Sequence, residues 1–368
     1  MGSRKAGSSR LPGAWRGGIA WPRMGIAQNG EPNGWRGVSA KGVLRAAACL
    51  AVLCSVDLCD AAAIEAKEST ISVVVRAGKA ESPNYTLARQ FSAALALAGN
   101  GAFTLEVRES QGSVQNVIDA PKSSANTVFT AAPSFIRQAR RGAKPFAKNP
   151  GYYDIRSLFP IPLQTVHWVV RQDSGVHTLA DLAGHSFVPG TKGSISERVT
   201  AAVLQVLGIE KKVQLIDIDV GAAPAAVMDN RVSGLAVAGS FPIPMVTQIA
   251  SSTPVSLLGL QPPELKKILA ADDSIVAETI PGATYPSVDD EVTTVAVPAG
   301  AYTTTRMSAA TAYALTKALW SQLPALAKRN PAWHAVTAGA IPALGIKLHA
   351  GALRYYDEAK IAVSTTMR

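Results

Sequence analysis

Cysteine is missing from residues 60–368, and the chain's three cysteines (Cys49, Cys54 and Cys59) fall within one short apolar stretch. A body without thiols excludes cysteine nucleophiles, CxxC metal sites and disulfides. Charge is scarce too: Asp, Glu, Lys and Arg make up 17% of the chain, against about 25% in an ordinary soluble domain. The five histidines (His167, His177, His185, His334 and His349) show no HxxxH spacing, so no metal site is expected. His167 lies inside a strand-like run and reads as a satisfied, partly buried residue. The body carries neither a P-loop nor a GxSxG nucleophile elbow, and no catalytic residue and no cofactor are assigned. It also lacks long basic runs and aromatics interleaved with Lys or Arg, which argues against a nucleic-acid partner.

The formal charge of +10 is unevenly placed. Residues 1–63 hold eight Lys/Arg and three Asp/Glu, half of the net charge, and the remaining 305 residues are only mildly basic. Within this leader, Arg45 precedes an apolar core from Ala46 to Val56, followed by Ala61-Ala62-Ala63. That is the length and flanking pattern of a secretory signal rather than a membrane span. Residues 1–63 are therefore expected to be a leader cleaved after Ala63, with 1–42 disordered or upstream of the true start, and the mature protein to be periplasmic.

From Ile71 onward, short β-branched runs alternate with helical periods. The pattern predicts strands at 71–76, 103–107, 127–130, 155–159, 166–171, 186–188, 213–218, 234–238, 254–258, 275–278 and 292–297. Between them it predicts helices, among them 85–97, 134–141, one opening at 194, and 309–323. Such alternation indicates α/β architecture, with mixed sheets covered by helices on both faces. Two runs meet near residues 158–166. The simplest arrangement is two lobes, 64–163 plus 292–368 and 164–291, with a cleft between them. Ligands of open α/β sheets sit beyond the carboxyl ends of strands, so the strand-to-helix loops are the candidate sites.

Of these loops, Gly190-Thr191-Lys192-Gly193 opens directly onto a helix entered by Ser194, Ile195, Ser196 and Glu197. Ser194 and Glu197 form an S-x-x-E capping box, in which each side chain can bond the other's backbone N–H. The loop can be read as a cap alone. It can also be read as an anion site, because a helix start leaves N–H groups unpaired and carries partial positive charge, with Lys192 and Ser196 beside it. The first such loop, residues 78–85, offers Lys79, Ser82 and Tyr85, and reads equally as a solvated turn. Gln111 and Ser113 follow the strand 103–107, while Thr130 and Ser240-Phe241 end two more strands. Together these loops describe a neutral-to-positive cleft.

Four segments in order resemble TAXI-type solute-binding proteins, the receptors of TRAP transporters: ESQGSVQN (109–116), VVRQDSGVHTLADLAGHSFVPGTKGSISERVTAAVLQVLG (169–208), TIPGATYPSVDDEVTTVAV (279–297) and IKLHAGALRYYDE (346–358). The likeness spans about residues 71–358. It implies a two-lobed, type II-like periplasmic-binding fold that closes on a small organic anion, carboxylate or amino-acid-like, and delivers it to TRAP-type permease subunits, the receptor acting as a monomer rather than an enzyme. Carried over position by position, it implies pocket roles for Tyr85, Ser113, Lys192, Ser194 and Ser196, and with looser matching for Thr130 and Ser240. The first loop departs from the family pattern: AGKAESPNYTL (77–87) lacks two of its glycines and one tyrosine and gains Lys79 and Glu81. AGSFPIP (238–244) adds Phe241. Other classes open to the same fold are a periplasmic enzyme, with Glu81 as its one suggestive acid, and a sensing subunit for a membrane signalling protein.

Overall fold

In the computed structural model the alternating pattern becomes one mixed sheet of ten strands. The structure describes residues 70–368, within a compact unit spanning Glu68–Arg368; the expected leader lies outside the described residues. The chain runs β1 (Ile71–Arg76), α1 (Pro83–Ala98), β2 (Phe103–Arg108), α2 (Ser113–Asp119), β3 (Thr127–Ala131) and α3 (Pro133–Arg141). A long strand β4 (Ile155–Arg171) leads to β5 (Ser186–Val188), α4 (Ile195–Val206), β6 (Gln214–Leu215), α5 (Ala223–Met228), β7 (Gly234–Gly239) and α6 (Pro244–Ser252). Then come β8 (Val255–Leu257), α7 (Pro262–Ala271), β9 (Val276–Ile280), β10 (Val292–Thr304), α8 (Ala309–Arg329) and α9 (Ala350–Glu358).

The strand order is β2-β1-β3-β10-β4-β7-β5-β6, with β8 added to β4 and β9 to β10. The outer trios are parallel within themselves (β2-β1-β3 and β7-β5-β6), whereas β10 and β4 pair antiparallel with each other and with their neighbours. β4 and β10 are thus the two strands that tie one end of the sheet to the other. β4 is almost wholly buried along its 17 residues, as a strand covered on both faces must be.

Prolines explain three of the elements that differ from the sequence expectation. Residues 155–159 and 166–171 belong to one strand that continues through Pro160 and Pro162. β10 likewise runs past Pro298 to Thr304, and its register against β4 shifts between Val297 and Ala299. A proline within a sheet removes a ladder donor and is accommodated at such irregularities, so it bends a strand without ending it. α8 continues beyond Pro324 to Arg329, its last turns held by buried Leu326 and Ala327.

The larger core cluster includes Phe91, Phe129, Phe159, Trp168, Tyr302 and Trp333, and a smaller one groups Val169, Leu235, Val246, Ile249 and Tyr285. Trp168 is fully buried and donates its indole N–H to Thr200 Oγ1 at 3.0 Å. That bond fastens the middle of α4 to β4.

Candidate functional site

Loops from both ends of the sheet converge on a cavity of about 40 Å³. The loop after β1 contributes Gly78, Lys79 and Ser82, the turn before α2 contributes Gln111 to Ser113, and the loop before α4 contributes Gly190, Thr191, Ser194 and Ser196. Ala236, Val237 and Ala238 of β7 form its floor, where short side chains keep the space open.

Each loop is shaped by its own bonds. Ser82 caps α1, accepting the Tyr85 N–H at 3.3 Å while its hydroxyl donates to the Lys79 carbonyl at 2.7 Å. Ser110 donates to the Ala77 carbonyl (2.9 Å) and accepts the Gly112 N–H (3.1 Å). Asn116 donates from Nδ2 to the carbonyls of Ala77 (2.7 Å) and Thr130 (3.0 Å), joining the carboxyl ends of β1 and β3. It carries no signal of this role in the sequence beyond an amide on the buried side of a short helix.

Gly190 has φ +115°, and a Cβ there would run into the Ser196 hydroxyl, so only glycine suits the position. Ser194 accepts the Glu197 N–H at 3.2 Å as expected. The return half of the box differs: the Glu197 carboxylate takes the N–H of Gly193 at 3.0 Å, because Ser194 N–H is already turned to the Thr191 carbonyl. Among the described residues no acceptor takes the N–H groups of Asn84, Ile195 or Ser196. These first-turn donors of α1 and α4 belong to residues that line the cavity. Ser113, which lines the cavity, is 2% exposed.

The two sides touch. Val114 N–H donates to the Gly193 carbonyl at 3.3 Å, and Lys79 Nζ stands 3.8 Å from an Asp219 carboxylate oxygen. Among the described residues Lys79 is the only charged side chain in the cavity lining.

Six residues singled out from sequence meet here: Lys79, Ser82, Gln111, Ser113, Ser194 and Ser196. Five stand elsewhere. Tyr85 points its hydroxyl at the Val107 carbonyl, 3.4 Å away, and Asn84 lines the cavity in its place. Thr130 is 2% exposed, behind the wall, with its hydroxyl unpaired among the described residues. Lys192 lines an outer groove of about 530 Å³ with Lys144 and Arg198. Ser240 and Phe241 line a third groove beside β4.

His167 is 1% exposed. Its Nδ1–H donates to the Thr165 carbonyl (3.0 Å), and its Nε2 accepts from the Tyr285 hydroxyl (3.0 Å), which in turn accepts the Ile243 N–H (2.8 Å). Burial lowers its pKa to about 4, so the ring is a neutral structural group. Among the described residues no cluster of three or more His, Cys, Asp or Glu is placed to hold a metal ion, and no helix is long and apolar enough to cross a membrane.

A model of the NMT1-like family matches residues 75–359. The chain belongs to the NMT1-like family. Solved structures similar to this NMT1-like protein include MatC from Rhodopseudomonas palustris with bound malate, with a TM-score of 0.53 and 13% identity over 78% of this chain and 98% of that one. The periplasmic binding protein BugD is similar at a TM-score of 0.51 and 14% identity, over 79% of this chain and 98% of that one. At such identities the likeness establishes the fold: a mixed α/β periplasmic-binding architecture with a curled sheet and flanking helices.

Proposed function

We propose that this NMT1-like protein is an extracytoplasmic solute receptor that captures a small organic anion between two lobes, 64–163 plus 292–368 and 164–291, and passes it to a TRAP-type membrane permease. The observation that carries the reading is the convergence on one cavity of the unpaired N–H groups of Asn84, Ile195 and Ser196 with the Lys79 ammonium. Two helix starts and one cation supply positive potential, and their hydroxyl neighbours supply directional bonds. Among the described residues no acid, thiol or histidine lines the cavity, which favours binding over turnover. Malate in MatC makes C4 dicarboxylates the first class to test.

At about 40 Å³ the cavity has room for only about three waters, each needing about 10–15 Å³ of such space, less than a C4 dicarboxylate fills. Cargo therefore enters when the lobes part. β4 and β10 are the connections that bend, and Pro160, Pro162 and the register shift beside Pro298 are where their ladder is weakest.

Calorimetry with mono- and dicarboxylates, malate included, checks this. Saturable binding is expected, weakened about tenfold to hundredfold by Lys79→Ala, the range for losing one charged hydrogen bond. Asp219→Asn removes the carboxylate that competes for Lys79 and is expected to strengthen binding, whereas Lys192→Ala changes it little. No saturable heat with any carboxylate, or an indifferent Lys79→Ala, sinks the reading.

A further inference from the structure

Ser240 and Phe241 end β7 as site candidates, yet they face a separate groove of about 460 Å³. That volume lies in the ordinary range for small-molecule sites, about 300–1,000 Å³. Its floor is β4, one wall is the loop after β7, and the opposite wall is the 3-10 turn Pro331–Ala335. Thr165 on the floor is 1% exposed.

We propose that this groove is a second ligand site, for a small aromatic amine. The Phe241 ring and the flat faces of Pro162, Pro242 and Pro331 suit an aromatic ring, which packs through its faces and edges. Among the described residues Glu278 is the only acid in the lining, His334 being the other titratable group and neutral at pH 7 in the formal charge of the chain. One of its oxygens accepts the Thr279 N–H at 2.9 Å, which leaves the other for an ammonium group. The Thr165 hydroxyl offers a further polar contact from the floor. The groove thus has the opposite charge preference to the cavity beside Lys79, and the two sites select different molecules.

Tryptamine and indole-3-acetate share a ring system and differ in charge, so they serve as probes, titrated by saturation-transfer NMR and calorimetry. Tryptamine is expected to bind saturably and more tightly than indole-3-acetate. Glu278→Gln should weaken tryptamine about fivefold and abolish the preference, as expected for a half-exposed ion pair. Phe241→Ala should weaken both compounds, and Lys79→Ala should leave tryptamine unchanged. Glu278 is half-buried on a peripheral strand, so its glutamine variant reads the site even if Phe241→Ala fails to fold. The proposal is overturned if tryptamine does not saturate, if Glu278→Gln binds it as tightly as the parent, or if Lys79→Ala abolishes its binding.

Discussion

Trp168→Ala is expected to lower the unfolding free energy by about 3–5 kcal/mol, the usual cost of deleting a buried indole. The side chain is 0% exposed and is among the largest fully buried groups of the described residues. Part of the cost is a cavity, and part is polar. Thr200, itself 0% exposed, loses the indole donor held at 3.0 Å, and leaving a buried hydroxyl short of its partner costs about 1–3 kcal/mol. Trp168→Phe should separate the two contributions by keeping most of the ring while removing the donor. Adding Thr200→Val should then recover much of the loss, since replacing both partners with apolar groups is close to neutral. Urea denaturation of the three variants measures this. A double variant no more stable than Trp168→Phe would show that the hydrogen bond is not the tie. Because α4 presents Ser194, Ile195 and Ser196 to the cavity, Trp168→Phe should also weaken anion binding through lost positioning.

Acidification is expected to produce the second large effect. The folded-state pKa of His167 is lowered to about 4 by burial, below an unfolded value of about 6.5. Between those values the unfolded chain binds the proton that the folded chain refuses, so stability rises with pH in that window. The contribution is complete above pH 6.5 and is lost as pH falls toward 4, by about 3 kcal/mol in all at 1.36 kcal/mol per unit. The cause is burial, which penalises the charged imidazolium; the Tyr285 hydroxyl that donates to Nε2 at 3.0 Å must also turn when that nitrogen gains a proton. Denaturant midpoints at pH 7.0, 5.5 and 4.5 should fall steeply for the parent and less steeply for His167→Gln. Equal slopes would remove His167 from the account.

Most elements were legible because burial imposes a period. Ile71–Arg76, Thr127–Ala131 and the start of α8 appear where β-branched or helical spacing puts them. The errors have identifiable physics. Prolines end helices and strands in a local reading, but the packing around β4, β10 and α8 carries each of them through. Residues 213–218 look like a strand, yet only Gln214–Leu215 pair, at the sheet's edge, where no second neighbour prolongs the ladder.

The site was legible at the level of loops and less so at the level of side chains. Topology places ligands at strand ends, and six of the eleven residues chosen on that basis line the cavity. In a helix each residue turns about 100° from the last, which is why Asn84 faces in and Tyr85 does not. Lys192 lies between Gly190 at φ +115° and Gly193 at φ +78°. Two left-handed glycines redirect the backbone in a way that no residue-type pattern displays.

Finally, two of the contacts at the cavity's rim are individually weak. The Val114–Gly193 hydrogen bond is long, at 3.3 Å, and the Lys79–Asp219 pair is half-exposed and 3.8 Å apart. Contacts of this kind are worth about 1 kcal/mol or less apiece, and Arg198 adds a hydrogen bond to Gln138 and a cation–π contact with Phe135 across the same gap. On the proposed reading, an anionic cargo would replace Asp219 as the counter-ion of Lys79, and the shut state would be held by the very molecule it encloses.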